Sequence, residues 1–385
     1  MGIKDMLLRE DFYTILRETI IDYARTVLGK EVTCKYESFD GAETWCINAT
    51  LGFISRVPTP EGVRTYMKSE YNVRGSVLKY LLGKVGVDVI TAFPYMGMTR
   101  KLYVSAGVFD KPVFIVPQNR SIRFYNYETM EVDCIVKSGF TSKYFDNQAQ
   151  FRSSYHYDFL NPILAKGEGW FREPVLTGHP LVRTTCKTMF ENGMKQAFDY
   201  LRILANDTFE WTSTRKYVAS LKEDALQKTA LAKDKKKIHE VSATLHLLDI
   251  ADYLSTCLDD MIPTCISHGD FQAGNIWVEP DGRTLLYDWE TAGRRSVWYD
   301  SATLSYSLRR AYGWETMLNS TDVEGLMRCV PNGFDVKVER RGVLGVLLME
   351  DILFYLDDML ELPNDWGRDS YDAFILNVKN LNWEL

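Results

Sequence analysis

The chain has 385 residues, and its 52 acidic against 45 basic side chains give a formal net charge of −7. This acidic balance argues against a general nucleic-acid-binding protein, which needs a basic surface. Apolar residues make up 46% of the chain and aromatic residues 13%, which excludes a disordered protein and suffices for two or three domains with buried cores.

Residues 1–117 are predicted to form an N-terminal extension of helical and mixed structure. Asp11 to Leu28 has the apolar periodicity of an amphipathic helix, and Gly29 supplies a stop. A second helix is expected near Tyr71 to Leu82, after the proline- and glycine-containing break at Val57 to Gly62. The sequence does not distinguish among three roles for this extension: it could cover the next domain, bind the substrate or mediate association of the protein with another chain.

Residues 118–177 carry alternating strand-favouring and helix-favouring segments. Two strands are predicted at Arg120–Tyr127 and Val132–Lys137, a helix at Phe145–Tyr157 and a further strand at Gly169–Leu176. The turn between the first two strands contains no glycine, so it lacks the residue that best lets backbone approach a phosphate group.

Residues 178–385 are predicted to be mainly helical. Long stretches with apolar periodicity cover Thr185–Leu204, Lys237–Leu258, Trp298–Tyr312 and Arg340–Leu362. Asp300 is expected to act as the N-cap of the third of these helices. Pro263 marks the entry to the loop Ser267–Asn275.

This loop reads Ser-His-Gly-Asp-Phe-Gln-Ala-Gly-Asn, in which Asp270 stands five residues before Asn275. Two strand-favouring runs follow, Ile276–Glu279 and Arg283–Tyr287, around the turn signal Pro-Asp-Gly. Because a hairpin returns the chain to its starting point, Asp288, directly after the second run, is expected to lie beside Asn275.

These side chains suit phosphoryl transfer to a hydroxyl group, which depends on positioning and on neutralising phosphate charge. Asp270 would accept the proton of the attacking hydroxyl. Asn275 and Asp288 would supply the amide and carboxylate oxygens that Mg²⁺ takes beside the phosphates. The plainer interpretation, an Asp and an Asn that only cap turns, explains the spacing and the hairpin less well.

The pattern His-Gly-Asp-x-x-x-x-Asn followed by Asp-Trp-Glu resembles the aminoglycoside phosphotransferase and choline kinase family, small-molecule relatives of the protein kinases. The resemblance implies that Asp270 is the catalytic base and that Asn275 and Asp288 are metal ligands. It implies that His268 supports the catalytic loop, that ATP and Mg²⁺ are the cofactors, and that the substrate is a small molecule with a hydroxyl group.

The same resemblance implies an α+β, two-lobed protein kinase-like fold. Residues 118–177 would be the small β-rich N-lobe, and residues 178–385 the large helical C-lobe with the catalytic loop. Lys137 would reach the ATP phosphates, and Glu173 would lie in the hinge that holds adenine. Gln148 stands where the helix should offer a glutamate to the lysine. A solvated lysine at a strand end is an equally good interpretation of Lys137.

The predicted function is ATP- and Mg²⁺-dependent phosphorylation of a sugar, an aminoglycoside or an amino alcohol. Carboxylates such as Asp351 and Asp357 could receive a cationic acceptor, and Trp298 and Trp314 could stack on a sugar, although such residues are also typical of helix surfaces and cores. Two other classes stay open. One is a catalytically silent kinase-like binding module; the other, disfavoured by Gly269 in place of the arginine of His-Arg-Asp, is a protein serine/threonine kinase.

Seven scattered cysteines without a Cys-x-x-Cys pair predict free thiols, a reducing cytoplasm and no structural zinc site. Lys4, Asp5 and Arg9 interrupt any apolar core of a signal peptide, and no segment reaches membrane-spanning length. The oligomeric state is left open.

Overall fold

The computed structural model describes residues 2–70, 77–239, 241–321, 323–331, 339–362 and 366–383. Its contacts divide the chain into two units. Unit 1 comprises Met1–Gly193 and Trp277–Tyr287, and unit 2 comprises Met194–Ile276 and Asp288–Leu385. The short second segment of unit 1 is thus flanked on both sides by chain that belongs to unit 2.

Unit 1 is built on an antiparallel sheet covered by helices. Its strands are β1 (Cys34–Lys35), β2 (Ala42–Asn48), β3 (Phe53–Arg56), β4 (Met98–Ser105), β5 (Val113–Pro117), β6 (Ser121–Asn126), β7 (Glu131–Val136), β8 (Ala165–Gly167) and β9 (Trp170–Pro174). They are ordered β1–β4–β2–β3–β5–β6–β7–β9–β8. The helices are α1 (Ile3–Arg9), α2 (Phe12–Thr26), α3 (Glu61–Glu70), α4 (Val77–Ala92) and α5 (Lys143–Ser154).

Both faces of this sheet are buried. Successive residues of a strand point to opposite faces, and in the central strands they enter different apolar cores. Ile115, Phe124 and Ile135 pack in the core that contains residues of α1 and α2. Their neighbours Phe114, Tyr125 and Cys134 pack in the core that contains residues of α3 and α5. This two-sided burial explains why β5 is a continuous apolar run, Val-Phe-Ile-Val-Pro.

The elements predicted for residues 118–177 are confirmed as β6, β7, α5 and β9 in that order. The first predicted helix is confirmed as α2, where Asp11 is the N-cap and accepts a hydrogen bond from the Thr14 amide. Of the second predicted helix, residues 71–76 lie outside the described residues, and α4 begins at Val77. Strand β5, which ends at Pro117, pairs with β6, which follows it, in the same sheet. The boundary of a separate N-terminal extension at residue 117 stays a prediction.

The predicted hairpin after the motif is also confirmed. Its strands, β13 (Ile276–Val278) and β14 (Thr284–Leu286), form a small sheet with β10 (His179–Pro180). At the turn, the Gly282 amide donates to the Glu279 carbonyl, and Gly282 has a φ of +85°, which glycine adopts without a Cβ penalty.

Unit 2 is mainly helical. Its helices are α6 (Lys187–Thr208, which begins in unit 1), α7 (Thr214–Asp234), α8 (Val241–Ser255), α9 (Tyr299–Ser305), α10 (Gly313–Asn319), α11 (Glu324–Met327), α12 (Arg340–Glu361) and α13 (Trp366–Val378). A three-stranded sheet, β11 (Glu210–Ser213), β12 (Met261–Ser267) and β15 (Gly293–Ser296), has β12 in its centre.

Helix α12 runs through the core of unit 2, with residues 342–353 all buried. It approaches α8 closely at Gly345, where a Cβ would lie 2.6 Å from the Ala251 carbonyl oxygen. The β-rich unit and this helical unit confirm the predicted α+β class. The helix predicted at Trp298–Tyr312 is shorter than expected and ends at Ser305. Within the described part of the chain, no helix has the length and apolar character needed to cross a membrane.

Candidate active site

The loop that carries the motif is held by the carboxylate of Asp300. One oxygen accepts the His268 amide at 2.6 Å, and the other accepts the Gly269 amide and the Ser267 hydroxyl at 3.0 and 2.9 Å. Helix α9 has Trp298 as its N-cap, so the expectation that Asp300 is the N-cap is wrong. The carboxylate satisfies loop amides instead of helix amides, which fixes the backbone on the N-terminal side of Asp270.

Gly269 is required by the shape of this loop. Its φ is +86°, and a Cβ at this position would lie 2.4 Å from the Thr291 carbonyl oxygen and 2.6 Å from Nη1 of Arg295. Both the backbone conformation and the lack of space exclude a larger residue. The arginine of a His-Arg-Asp motif therefore does not fit the loop in this conformation.

The carboxylate of Asp270 is held by three hydrogen-bond donors. Its Oδ1 accepts from Nε of Arg309 at 3.0 Å, and its Oδ2 accepts from Gln272 at 2.9 Å and from Asn275 at 3.2 Å. A carboxylate offers about four acceptor positions. Three donors thus orient the group, and the side chain remains 21% exposed.

Arg309 connects Asp270 to a second, fully buried carboxylate. Its Nη1 lies 2.6 Å from Oδ1 of Asp351, while its Nη2 donates to the Gly269 carbonyl and the Tyr299 hydroxyl. Asp351 also accepts from Tyr299 and from Nε1 of Trp314. The arginine therefore has a carboxylate on each side, and one guanidinium fixes both.

The burial of Asp351, Trp298 and Trp314 contradicts their suggested roles in acceptor binding, whereas Asp357 is partly exposed. Asp351 is fully buried and bonded, and Asp357 lies 2.9 Å from Nζ of Lys228. Trp298 and Trp314 are 1% and 2% exposed. All four side chains are engaged in packing or ion pairs, because the helices that carry them face the core of unit 2.

Asn275 is oriented by Asp270. Its amide nitrogen donates both to the Asp270 backbone carbonyl at 2.8 Å and to the Asp270 carboxylate. Since the nitrogen is committed to these two acceptors, the amide oxygen points elsewhere. An amide oxygen is a donor atom that a hard cation such as Mg²⁺ accepts, so the arrangement is compatible with the predicted metal-ligand role of Asn275.

His268 and Asp288 complete the motif. His268 is fully buried, its ring centroid lies 4.5 Å from that of Trp289, and its carbonyl accepts the Thr291 hydroxyl. Burial lowers the pKa of His268, although the negative charges of Asp300, Asp270 and Asp288 oppose this shift. Burial thus favours the neutral imidazole. Asp288 has a left-handed backbone conformation, with a φ of +69°, which marks a strained site.

The three residues predicted to bind nucleotide all lie in unit 1. Lys137 is 1% exposed, and its Nζ lies 2.6 Å from Oε1 of Glu10. Gln148 is 4% exposed on α5. Glu173, on β9, lies 2.6 Å from Nη2 of Arg152. The contacts of Lys137 thus run to Glu10 and not to Gln148, and the predicted roles in nucleotide binding stay predictions.

Asp300, Arg309 and Gln272 are functional candidates that the motif alone did not reveal. Gln272 lies within the motif, two residues after Asp270, and its polarity so close to the predicted base is a usable signal. Asp300 and Arg309 contact the loop from 30 to 40 positions further along the chain. No local pattern indicates such contacts.

Comparison with known families agrees with the motif. The sequence model of the phosphotransferase enzyme family matches residues 201–319, a range that contains the whole loop, Asp288, Asp300 and Arg309. The resemblance predicted from the motif is thereby confirmed. A comparison with curated proteins gave no match.

Several solved structures are distantly similar. The ethanolamine kinase of Plasmodium vivax is 11% identical, with 83% of this chain and 94% of that chain covered and a TM-score of 0.48. The choline/ethanolamine kinase family protein of Mesorhizobium loti is 17% identical, with 70% and 87% covered and a TM-score of 0.41. Aminoglycoside phosphotransferase APH(3'')-Id of Streptomyces rimosus is 16% identical, with 64% and 94% covered and a TM-score of 0.41.

Proposed function

We propose that the protein transfers a phosphoryl group from ATP, with Mg²⁺, to a hydroxyl group of a small molecule of the sugar, aminoglycoside or amino-alcohol type. The observation that carries this proposal is the carboxylate of Asp270, which three donors hold in place while it stays 21% exposed. The match of residues 201–319 to the phosphotransferase enzyme family supports it.

Asp270 would orient the acceptor hydroxyl and take its proton as the new bond to phosphorus forms. The carboxylate has one acceptor position left after Arg309, Gln272 and Asn275 are counted, so one hydroxyl can be received in a defined direction. Because the carboxylate is already fixed, little ordering is needed when the acceptor arrives.

Asn275 and Asp288 would hold the magnesium ion. When bound, Mg²⁺ neutralises charge on the phosphate groups. The fit rests on the orientation of Asn275, whose amide nitrogen is bonded to Asp270 and whose oxygen is left for the cation. His268 would keep the loop in shape, and Lys137, Gln148 and Glu173 remain the predicted nucleotide contacts.

The cysteines suit the proposed cytoplasmic location. All seven are free thiols, five of them buried and two, Cys186 and Cys257, exposed. Exposed unpaired thiols are stable where the environment is reducing.

The test is turnover of Mg²⁺-ATP with a pooled extract of small metabolites, read by mass spectrometry. A new phosphorylated product is expected, and Asp270→Ala should abolish it while nucleotide binding is retained. The matched control is Asp281→Ala at the exposed hairpin turn, which should leave turnover unchanged. Unchanged turnover in Asp270→Ala would show that the assigned base is wrong.

A second variant separates the metal site from the base. Asp288→Ala should weaken the Mg²⁺-dependent part of ATP binding, measured by titration calorimetry with and without the metal. Absence of Mg²⁺-dependent ATP binding in the unmodified protein, together with absence of product, would favour the catalytically silent module. Phosphorylation of a protein substrate, without phosphorylation of any small molecule, would favour the alternative of a protein serine/threonine kinase.

A further inference from the structure

A cavity of about 1030 Å³ lies within unit 2, between the first half of α7, the end of α8 and the segment that leads into β12. Met261, the first residue of β12, lines it, whereas Ser267, the last, begins the loop of the candidate active site. A strand of this length spans roughly 20 Å. The cavity is therefore separate from the catalytic loop.

The cavity has an apolar wall. Val218 is buried in this wall, and Leu258 packs so closely on α12 that a Cβ at Gly342 would lie 2.4 Å from its Cγ. Leu226 and Met261 also line the cavity but are 41% and 45% exposed. Two large apolar side chains thus remain partly in water at a concave surface, where a ligand would bury them.

Strand pairing and hydrogen bonds from Thr214 hold the walls of the cavity. Strands β11 and β12 pair so that Ser213 lies opposite Met261. The Thr214 amide donates to the Asp260 carbonyl at 2.9 Å, and its hydroxyl donates to the Asp259 carbonyl at 2.6 Å. The segment that carries Asp259 and Asp260 is therefore tied to the start of α7, and a ligand would meet a preformed site.

The charge of the lining is predominantly negative. Four carboxylates, from Glu223, Asp252, Asp259 and Asp260, stand against two cations, Arg215 and Lys222. Nζ of Lys222 lies 2.6 Å from Asp252, so these two charges offset each other. The carboxylates of Asp259 and Asp260 have no ion-pair or hydrogen-bond partner within the described part of the chain. Negative charge thus accumulates beside an apolar wall.

We propose that this cavity binds a small organic cation with an apolar body, which places its ammonium group at Asp259 and Asp260 and its hydrocarbon part against Val218, Leu226 and Met261. The volume is that of sites for small organic ligands. Negative charge and apolar surface are both needed, so neither a bare polyamine nor a neutral hydrocarbon satisfies the whole site. This binding site is additional to the proposed phosphotransferase site.

The test uses 4-phenylbutylamine as the probe, with the neutral 4-phenylbutanol and the polyamine spermine for comparison, in titration calorimetry on the full-length protein. The protein is expected to bind 4-phenylbutylamine more tightly than it binds 4-phenylbutanol or spermine. In the double variant Asp259→Asn/Asp260→Asn, its affinity should fall by about fivefold, while that of the alcohol is unchanged. The control Asp281→Asn/Glu315→Gln removes two charges at exposed positions outside the cavity and should leave both affinities unchanged.

A third variant tests the apolar part. Ala219→Trp fills the cavity from an exposed position of α7 and should abolish binding of the amine. Equal affinities of the amine and the alcohol, or unchanged amine binding in Ala219→Trp, would overturn the proposal. Asp270→Ala should bind the amine normally, so failure of the proposed enzymatic function and failure of this site are separately detectable.

Discussion

The guanidinium of Arg309 donates a hydrogen bond of 3.0 Å to the carboxylate of Asp270. The same guanidinium lies 2.6 Å from Asp351, a residue with no exposed surface. The orientation of the proposed base is therefore tied to an ion pair in the core of unit 2. The motif loop and the helical core share one cation.

Removing this cation should affect stability and turnover together. Arg309→Gln leaves the buried carboxylate of Asp351 without its counter-charge, and we expect the free energy of unfolding to fall by about 3–5 kcal/mol. Turnover should fall as well, since Asp270 loses one of its three donors. Urea unfolding and initial rates measure the two effects. Arg310→Gln changes the adjacent, exposed arginine and should alter neither.

The two glycines of the motif loop should respond differently to alanine. Gly269→Ala should lower the free energy of unfolding by about 2 kcal/mol or more, because φ is positive and the Cβ meets the Thr291 carbonyl. Gly274→Ala, with no atom within 4 Å of the added Cβ, should change it by less than about 0.5 kcal/mol. Thermal and urea unfolding compare the two. Equal losses would show that the loop does not have the conformation described.

The buried pair of Lys137 and Glu10 offers a test of the predicted phosphate contact. Glu10→Gln should lower the free energy of unfolding by about 3–5 kcal/mol, because the ammonium is left unpaired among buried groups. The double variant Lys137→Met/Glu10→Met should recover most of that loss. Affinity for Mg²⁺-ATP in the double variant then decides the role of Lys137. A large loss supports the phosphate contact, and an unchanged value assigns the lysine to packing alone.

Glu350 should make stability depend on pH. Burial raises its pKa from the ordinary 4.5 to about 7, although it accepts hydrogen bonds from Ser296 and Tyr217. Because the folded state binds this proton more tightly than the unfolded state, the contribution to stability is present below pH 4.5 and is lost as pH rises through 7.

Replacing this carboxyl by an amide should remove the dependence. When the pH is raised from 5.5 to 8, the free energy of unfolding of Glu350→Gln should increase by about 2 kcal/mol relative to that of the unmodified protein. Urea unfolding at the two pH values measures it. Glu315→Gln, at an exposed position, is the control and should show no such gain. A difference independent of pH would contradict the raised pKa.

The parts of this site that the sequence predicted are local. Asn275 and Asp288 flank a hairpin whose turn and strands can be recognised within thirteen residues, and the strands and helix of residues 118–177 follow from short-range patterns. The supporting contacts are not local. Asp300 reaches the loop from the next helix, and Glu10 reaches Lys137 across 127 positions. Only the packing of whole elements determines which of many charged residues form such pairs.

The hairpin of residues 277–287 has a consequence for how this protein can be divided. Its strands β13 and β14 complete a sheet with β10 of unit 1, yet they are encoded within the sequence of unit 2. A chain that stops at Gly193 lacks two strands of its own unit, and the remainder carries a hairpin without its partner strand. Neither half of the sequence is therefore an autonomous module. Exchange of one unit with a related protein must move both of its chain segments together.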